Sequence, residues 1–290
     1  MVIVLGLAAA VLYGAGDFLG GLATRRVQVL AVLVLAQMAG VIVALPAAAM
    51  WPGPASLAGM AWGLSAGLAG GAGLIIFYHG LAAGPMSVVA PVSGLVSTVL
   101  PVAVALAQGE RPGAGVYAGA LLCLAAIVLA SSAGDAGPAG RPGAGPRPGQ
   151  PGAGRAVGYG IASGALFGLF FLLIRNAGRS AELWPVAAAR IGELAAVLIA
   201  AAVLRRGLVP RRAAAGVLLA AAAAGAIDVI ANICYVAATR TGMFGLAVVL
   251  ASLYPGVTVL LAKVVLGEQL RWVQRAGLAL AAVGIILVTT

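Results

Sequence analysis

Residues 134–155 read GDAGPAGRPGAGPRPGQPGAGR, a composition found nowhere else in the chain. Glycine, proline, alanine and arginine dominate and no hydrophobic period survives, so an unstructured linker is expected over 132–155. Outward from it, on both sides, the sequence turns into long apolar runs. Five precede it, near 2–21, 28–49, 57–80, 86–107 and 113–131, and five follow, near 156–176, 183–204, 213–239, 243–266 and 273–290. Each is close to the ~20 residues that cross a hydrocarbon core as a helix. The runs are continuous rather than alternating, which excludes a membrane β-barrel. The expected fold is all-α and integral to the membrane. Ten transmembrane helices fall into two five-helix units, 1–131 and 156–290, on either side of the linker.

Composition leads to the same class. Of 290 residues, 63% are hydrophobic, 43 are glycine and only 8% are charged. About a quarter charged is usual for a soluble domain, so no water-facing surface can be covered. A disordered chain is excluded as well, since disorder requires low hydrophobicity. The first run has no basic segment before it and carries Asp17, so it is read as a retained span and not a signal peptide. The net charge of +10 raises nucleic acid as a partner, but the arginines stand singly or in pairs between apolar runs. That is the placement membrane topology demands. The partners expected are therefore the lipid bilayer and a small-molecule substrate, with no nucleic acid; a homodimer is compatible but not implied. Cys123 and Cys234 both lie in apolar runs and read as small buried residues.

The five-and-five arrangement invites a search for a repeat. Residues 84–131 align without a gap on 242–289 at an offset of 158, with 10 identities in 48. Gly84 meets Gly242, Gly109-Glu110 meets Gly267-Glu268, and Ala118-Gly119 meets Ala276-Gly277. At other offsets Tyr13-Gly14 matches Phe167-Gly168, and Tyr78 matches Tyr235. An odd number of spans per unit forces the units into opposite orientations. Inverted repeats of this kind recur in secondary transporters, with the substrate between the halves near the midplane.

These features resemble the EamA-type transporters of the drug/metabolite transporter superfamily. The resemblance rests on the five-plus-five spans, the aromatic-Gly pair in the first helix of each half and the Gly-Glu closing the fourth. Pro255, thirteen residues before Glu268, and Arg190 early in the seventh span also fit the pattern. The first half departs from it, with Ser97 where Pro255 stands and Gln37 roughly where Arg190 stands. The resemblance implies a multi-pass transporter of the cell membrane that moves amino acids, amines, drugs or other metabolites, with export the expected direction.

Ionisable groups inside spans are costly and point to a bundle interior or cavity. Asp17, Arg190, Glu193 and Asp228 are the set. His79, Arg175 and Lys263 lie near span ends, where long side chains reach the interface. Tyr13, Asp17 and Gly20 or Gly21 share one helical face; Asp17 is either a substrate or proton site or a carboxylate paired with a neighbour. Asp228, Asn232 and Tyr235 fall at i, i+4 and i+7, a polar stripe that a lipid-facing helix would not carry. The stripe is either a cavity wall or a hydrogen-bonded helix seam, and the cavity is favoured because the aligned part of the third span is small or apolar. Together with Tyr78 from the other half these residues are expected to form the substrate and proton site. Arg190 and Glu193, at i and i+3, are either part of it or a self-contained ion pair. Pro91, Pro101 and Pro255 are expected to interrupt the fourth and ninth spans. Gly63, Gly67 and Gly71, like Gly160, Gly164 and Gly168, form small-residue faces for close helix packing.

No metal or cofactor is expected: one histidine and two separated cysteines make no cluster, and no phosphate-binding glycine loop is present. The function read here is secondary transport by alternating access, with proton coupling as one form. Its rivals are a non-transporting membrane scaffold or sensor, and an intramembrane aspartyl protease using Asp17 and Asp228. The protease reading has only Gly14-Ala15-Gly16-Asp17 behind it, a cheap match in a chain so rich in glycine.

Orientation yields a first prediction. Loops after odd-numbered spans carry eleven arginines, including Arg205, Arg206, Arg211 and Arg212, against four after even-numbered spans. Excess basic charge stays cytoplasmic, so the count places the linker inside and both termini outside. The resemblance implies the reverse. A C-terminal reporter active only in the cytoplasm is expected to stay dark, and strong activity would overturn the charge-based orientation.

Overall fold

The computed structural model describes residues 1–24, 26–51, 53, 55–83, 86–109, 111, 113–131, 153–177, 183–204, 214–241, 244–266 and 272–289. The linker over 132–152, Glu110, Glu268, Gly84, Gly242 and Arg205–Arg212 lie outside them. Helices make up nearly all the rest. They are α1 (Val2–Thr24), α2 (Val29–Met50), α3 (Leu57–Ala83), α4 (Met86–Ala107), α5 (Ala114–Ser131), α6 (Ala153–Asn176), α7 (Trp184–Val203), α8 (Ala215–Thr241), α9 (Phe244–Ala251), α10 (Tyr254–Leu266) and α11 (Trp272–Thr289). No strand occurs among the described residues. Away from water every backbone N–H and C=O must find its partner within the segment, and an Ala- and Leu-rich helix does this at little conformational cost.

Six helices are long and apolar enough to cross a membrane: α1, α2, α7, α8 and the apolar stretches Leu57–Gly80 and Val157–Asn176. Val92–Ala107, Tyr117–Ala126 and Phe244–Thr258 are shorter apolar segments. Large side chains such as Val4, Ile42, Leu121, Ile199, Leu219 and Val264 point outward. A surface of this kind is suited to hydrocarbon and not to water. The chain is a multi-pass membrane protein.

The helices alternate between halves in space. α1 packs on α8, α3 on both α7 and α6, α4 on α6, α2 on α7 and α8, and α5 on α11, while α9 and α10 lie against α1. Glycines set the closeness of these contacts. Gly63 and Gly67 of α3 lie on the backbone of α7 at Pro185 and Ala189, and Gly71 lies against Glu193 and Ala196. A Cβ at Gly67 would collide with the Ala189 carbonyl, and one at Gly225 of α8 with that of Ala36 in α2. Gly160, Gly164 and Gly168 do the same for α6 against Val92, Ser93 and Leu100 of α4. A hydrogen bond from Ser163 Oγ to Ser93 Oγ, 3.0 Å, stitches that contact.

The prolines behave differently from expectation. The ninth span is broken at Ser252–Leu253, with Tyr254 between the break and Pro255. Proline has no N–H to donate to residue i−4 and its ring crowds that carbonyl. Ser252 Oγ donates to the Val248 carbonyl (2.8 Å) and the Gly256 N–H to that of Leu253 (3.0 Å), so the break is hydrogen-bonded on both sides. All eight residues of α9 are buried. The fourth span, by contrast, is not interrupted: α4 runs unbroken through Pro91 and Pro101, as α2 does through Pro46. A lone proline removes one hydrogen bond, which a packed membrane helix tolerates. Ser97, the counterpart of Pro255, keeps its N–H.

Replacing Gly67 with leucine is expected to separate α3 from α7 and destabilise the protein by about 1–3 kcal/mol, the range for overpacking. Gly216→Leu, where the space around the position is open, serves as the control. Unfolding of both variants in mixed detergent micelles measures the difference, and equal stability would contradict the close packing.

Candidate functional site

Arg190 sits two turns into α7, after the Trp184-Pro185 start, and is only 2% exposed. A guanidinium so deep must have its charge met nearby. Its Nη2 donates to Glu193 Oε1, one turn along the same helix, at 2.7 Å. Its Nη1 forms a hydrogen-bonded ion pair with Asp228 of α8 and also donates to Gln37 Oε1 of α2, at 3.3 Å. Asn232, one turn after Asp228, donates from Nδ2 to Asp228 Oδ2 (3.2 Å) and to its carbonyl (2.9 Å). Space for the group comes from two glycines on facing helices. A Cβ at Gly40 would lie 3.1 Å from Arg190 Cδ, and one at Gly70 would lie 3.1 Å from Glu193 Oε1.

This network forms one wall of a cavity of about 140 Å³. Side chains or backbone of α1, α2, α3 and α4 line it from the first half, and those of α6, α7, α8 and α10 from the second. Asp17 lines it from α1 and is exposed. Among the described residues Asp17 has neither an ion-pair nor a hydrogen-bond partner. Tyr78 faces the same helix, its Oη 3.6 Å from where a Cβ on Gly20 would stand. Aromatic rings supply much of the remaining lining. Phe77 meets Tyr78 edge-on at 5.7 Å and Phe167 at 5.9 Å, and Tyr13 meets Phe171 at 6.5 Å and Tyr254 at 6.4 Å. Tyr254 owes its place to the break in the ninth span, since it opens α10 directly after the interruption.

Six of the seven residues singled out from the sequence therefore meet in one place: Asp17, Tyr78, Arg190, Glu193, Asp228 and Asn232. Tyr235 does not. It is fully buried behind the lining, its ring 4.7 Å from that of Phe171 and its hydroxyl without a hydrogen-bond partner. One helical turn beyond Asn232 carries the stripe out of the cavity and into the packing between α8 and α6. Nor is Arg190–Glu193 self-contained, because the guanidinium also holds Asp228. Gln37 was visible only as the residue standing near Arg190's counterpart position, and Tyr254 carried no sequence signal beyond its neighbour Pro255. The ring cluster Phe167, Phe170 and Phe171 was legible as an aromatic-rich stretch in a span otherwise poor in rings.

Several buried polar atoms have no partner among the described residues: Arg190 Nε, Glu193 Oε2, Asn232 Oδ1 and the Tyr13 hydroxyl. Unpaired polar atoms at a roomy, partly charged cavity are suited to water or a polar ligand.

Residues 154–290 match the sequence model of the EamA-like transporter family. No match is found among curated proteins. Among solved structures 21 chains match. One of them, titled only "Crystal structure of protein", has a TM-score of 0.73, 21% sequence identity, and coverage of 99% of this chain and 98% of its own. At that identity the likeness is one of fold.

Arg190→Met is expected to destabilise the protein by about 3–5 kcal/mol, because it strands the carboxylates of Glu193 and Asp228 away from water. The triple variant Arg190→Met/Glu193→Gln/Asp228→Asn removes the stranded charges and should recover most of that loss. Thermal unfolding in detergent measures both, and a single variant as stable as the unaltered protein would contradict the network.

Proposed function

We propose, from the match of residues 154–290 to the EamA-like transporter family model, that the chain is a secondary transporter. It carries a small metabolite, an amino acid, amine or drug-like compound, across the cell membrane by alternating access, with export as the expected direction and proton coupling as one form. The observation that carries this reading is the cavity walled by the first four spans of each half, with a charged network reaching from Gln37 across to Arg190 and Asp228. A ligand held there touches both halves at once, so rocking one half against the other would change the side from which it is reached.

The pairing of the helices supports two inverted five-helix repeats. If α1 is equivalent to α6, α2 to α7, α3 to α8, α4 to α9 with α10, and α5 to α11, exchanging the halves turns the most extensive contacts into one another. The α1–α8 contact becomes α6–α3, α3–α7 becomes α8–α2, and α4–α6 becomes the contact of α9 and α10 with α1. The contacts α2–α7 and α5–α11 map onto themselves, as they must across a two-fold axis. A broken helix at the cavity, here α9 and α10, is a recurring feature of such sites.

The rivals are less well supported. A protease dyad needs two carboxylates sharing a proton, whereas Asp228 is taken up by Arg190 and Asn232. A scaffold or sensor has no use for charges around a cavity in the membrane, where they are expensive.

Proteoliposomes carrying the purified protein are expected to accumulate or release candidate amino acids and amines in response to an imposed pH gradient. Asp228→Asn should abolish the pH-driven component, with folded protein in the membrane measured alongside because the substitution also removes a partner of Arg190. Unchanged pH-driven flux in that variant would count against Asp228 as a coupling group, and absence of flux for every candidate would count against transport.

A further inference from the structure

Three carboxylates line the cavity, those of Asp17, Glu193 and Asp228, against a single guanidinium, that of Arg190, among the described residues. The two sets are not evenly matched in space. Glu193 and Asp228 are both spent on Arg190. Asp17 stands on α1, which packs against α8, and is exposed and without a partner among the described residues. A carboxylate that lines a cavity without a counter-charge attracts a cationic group to it. We propose that the substrate is a small organic cation whose ammonium group is held at Asp17, with its apolar body against the rings of Tyr78, Phe77 and Tyr254. This rests on the transporter reading above and names the substrate class for the same site.

Charge and shape exclude the other classes in turn. An organic anion would enter a cavity with an excess of negative charge, and Arg190, the one cation among its described lining residues, is already bound. Three of the five N–H donors of Arg190 are taken by Gln37, Glu193 and Asp228, and the two that remain, one on Nη2 and the buried Nε, sit beside carboxylates that already answer the charge. A zwitterion meets the same obstacle at its carboxylate end. For a cation the situation is reversed, because an ammonium–carboxylate hydrogen bond is among the stronger ones and the negative faces of aromatic rings attract positive charge. Volume sets the size. An apolar protein cavity of about 150 Å³ accommodates one benzene molecule, so a cavity of about 140 Å³ takes a single-ring or short aliphatic amine.

Three probes with one carbon skeleton separate the possibilities: phenethylamine, phenylalanine and 3-phenylpropionate are cation, zwitterion and anion. Binding to the purified protein in nanodiscs is measured by calorimetry, and flux in proteoliposomes by uptake of the labelled compounds. Phenethylamine is expected to bind at least tenfold more tightly than either of the others. Asp17→Asn should weaken the amine at least tenfold and erase the preference for positive charge, while Asp17→Glu should retain it. If phenylalanine or 3-phenylpropionate binds better, if phenethylamine does not bind, or if Asp17→Asn leaves its affinity unchanged, the inference is overturned. Amine that binds without crossing leaves the cation site standing and removes the transporter reading. Zwitterion or anion that crosses in preference to amine does the opposite. Should Asp17→Asn fail to fold, the three-probe comparison on the unaltered protein and on Asp17→Glu still decides the question.

Discussion

A guanidinium buried between helices in a membrane is the constraint around which the rest of this protein is organised. Arg190 cannot shed its proton under any ordinary condition, and hydrocarbon offers it nothing. Its charge must therefore be answered by side chains, and here they come from three helices: Gln37 on α2, Glu193 on α7 itself and Asp228 on α8. Because Gln37 belongs to the first half and the others to the second, answering the charge also ties the halves together. The network is thus a structural clamp and a cavity wall at once.

Such a clamp works only if the helices come close, and glycine is what permits this. In a bilayer no hydrophobic force drives helices together, so contact rests on packing and interhelical hydrogen bonds. Gly67 on Ala189 and Gly225 on Ala36 bring α3 to α7 and α8 to α2 at backbone distance. The same spacing leaves Gly40 and Gly70 facing the charged groups, where any side chain would press on Arg190 or Glu193. Close packing at the rim and small residues at the centre together leave a cavity of about 140 Å³ in the middle of the bundle. Pro255 adds the remaining element by breaking the ninth span and setting Tyr254 at the cavity edge.

Within that cavity the carboxylates are unequal. Asp228 and Glu193 are held by Arg190, and Asp17, on the neighbouring α1, is left without a partner among the described residues. The electrostatic character of the site therefore follows from which charges are already used and not from how many there are. A ligand sees the unpaired group.

The amino-acid sequence by itself determined the class, the span positions and the polar residues. Composition and run length left no alternative to a helical membrane protein, and the apolar runs coincide with the helices to within a few residues, because hydrophobic thickness sets helix length. Six of the seven singled-out residues meet at the cavity because an ionisable group in a span has few places to go other than a polar interior. Which of them pair, and which stay free, was decided only by the tertiary structure. The i, i+3 spacing of Arg190 and Glu193 could not disclose Asp228, which arrives from 38 positions away. Helical periodicity placed Tyr235 on the same stripe as Asp228 and Asn232, but the depth of the cavity ends before it, where Phe171 closes the wall. Likewise proline marks where a helix has lost a hydrogen bond, while its neighbours decide whether it breaks, as before Pro255, or continues, as through Pro101. Local sequence sets what each helix can offer; the contacts between helices set what is left for a ligand.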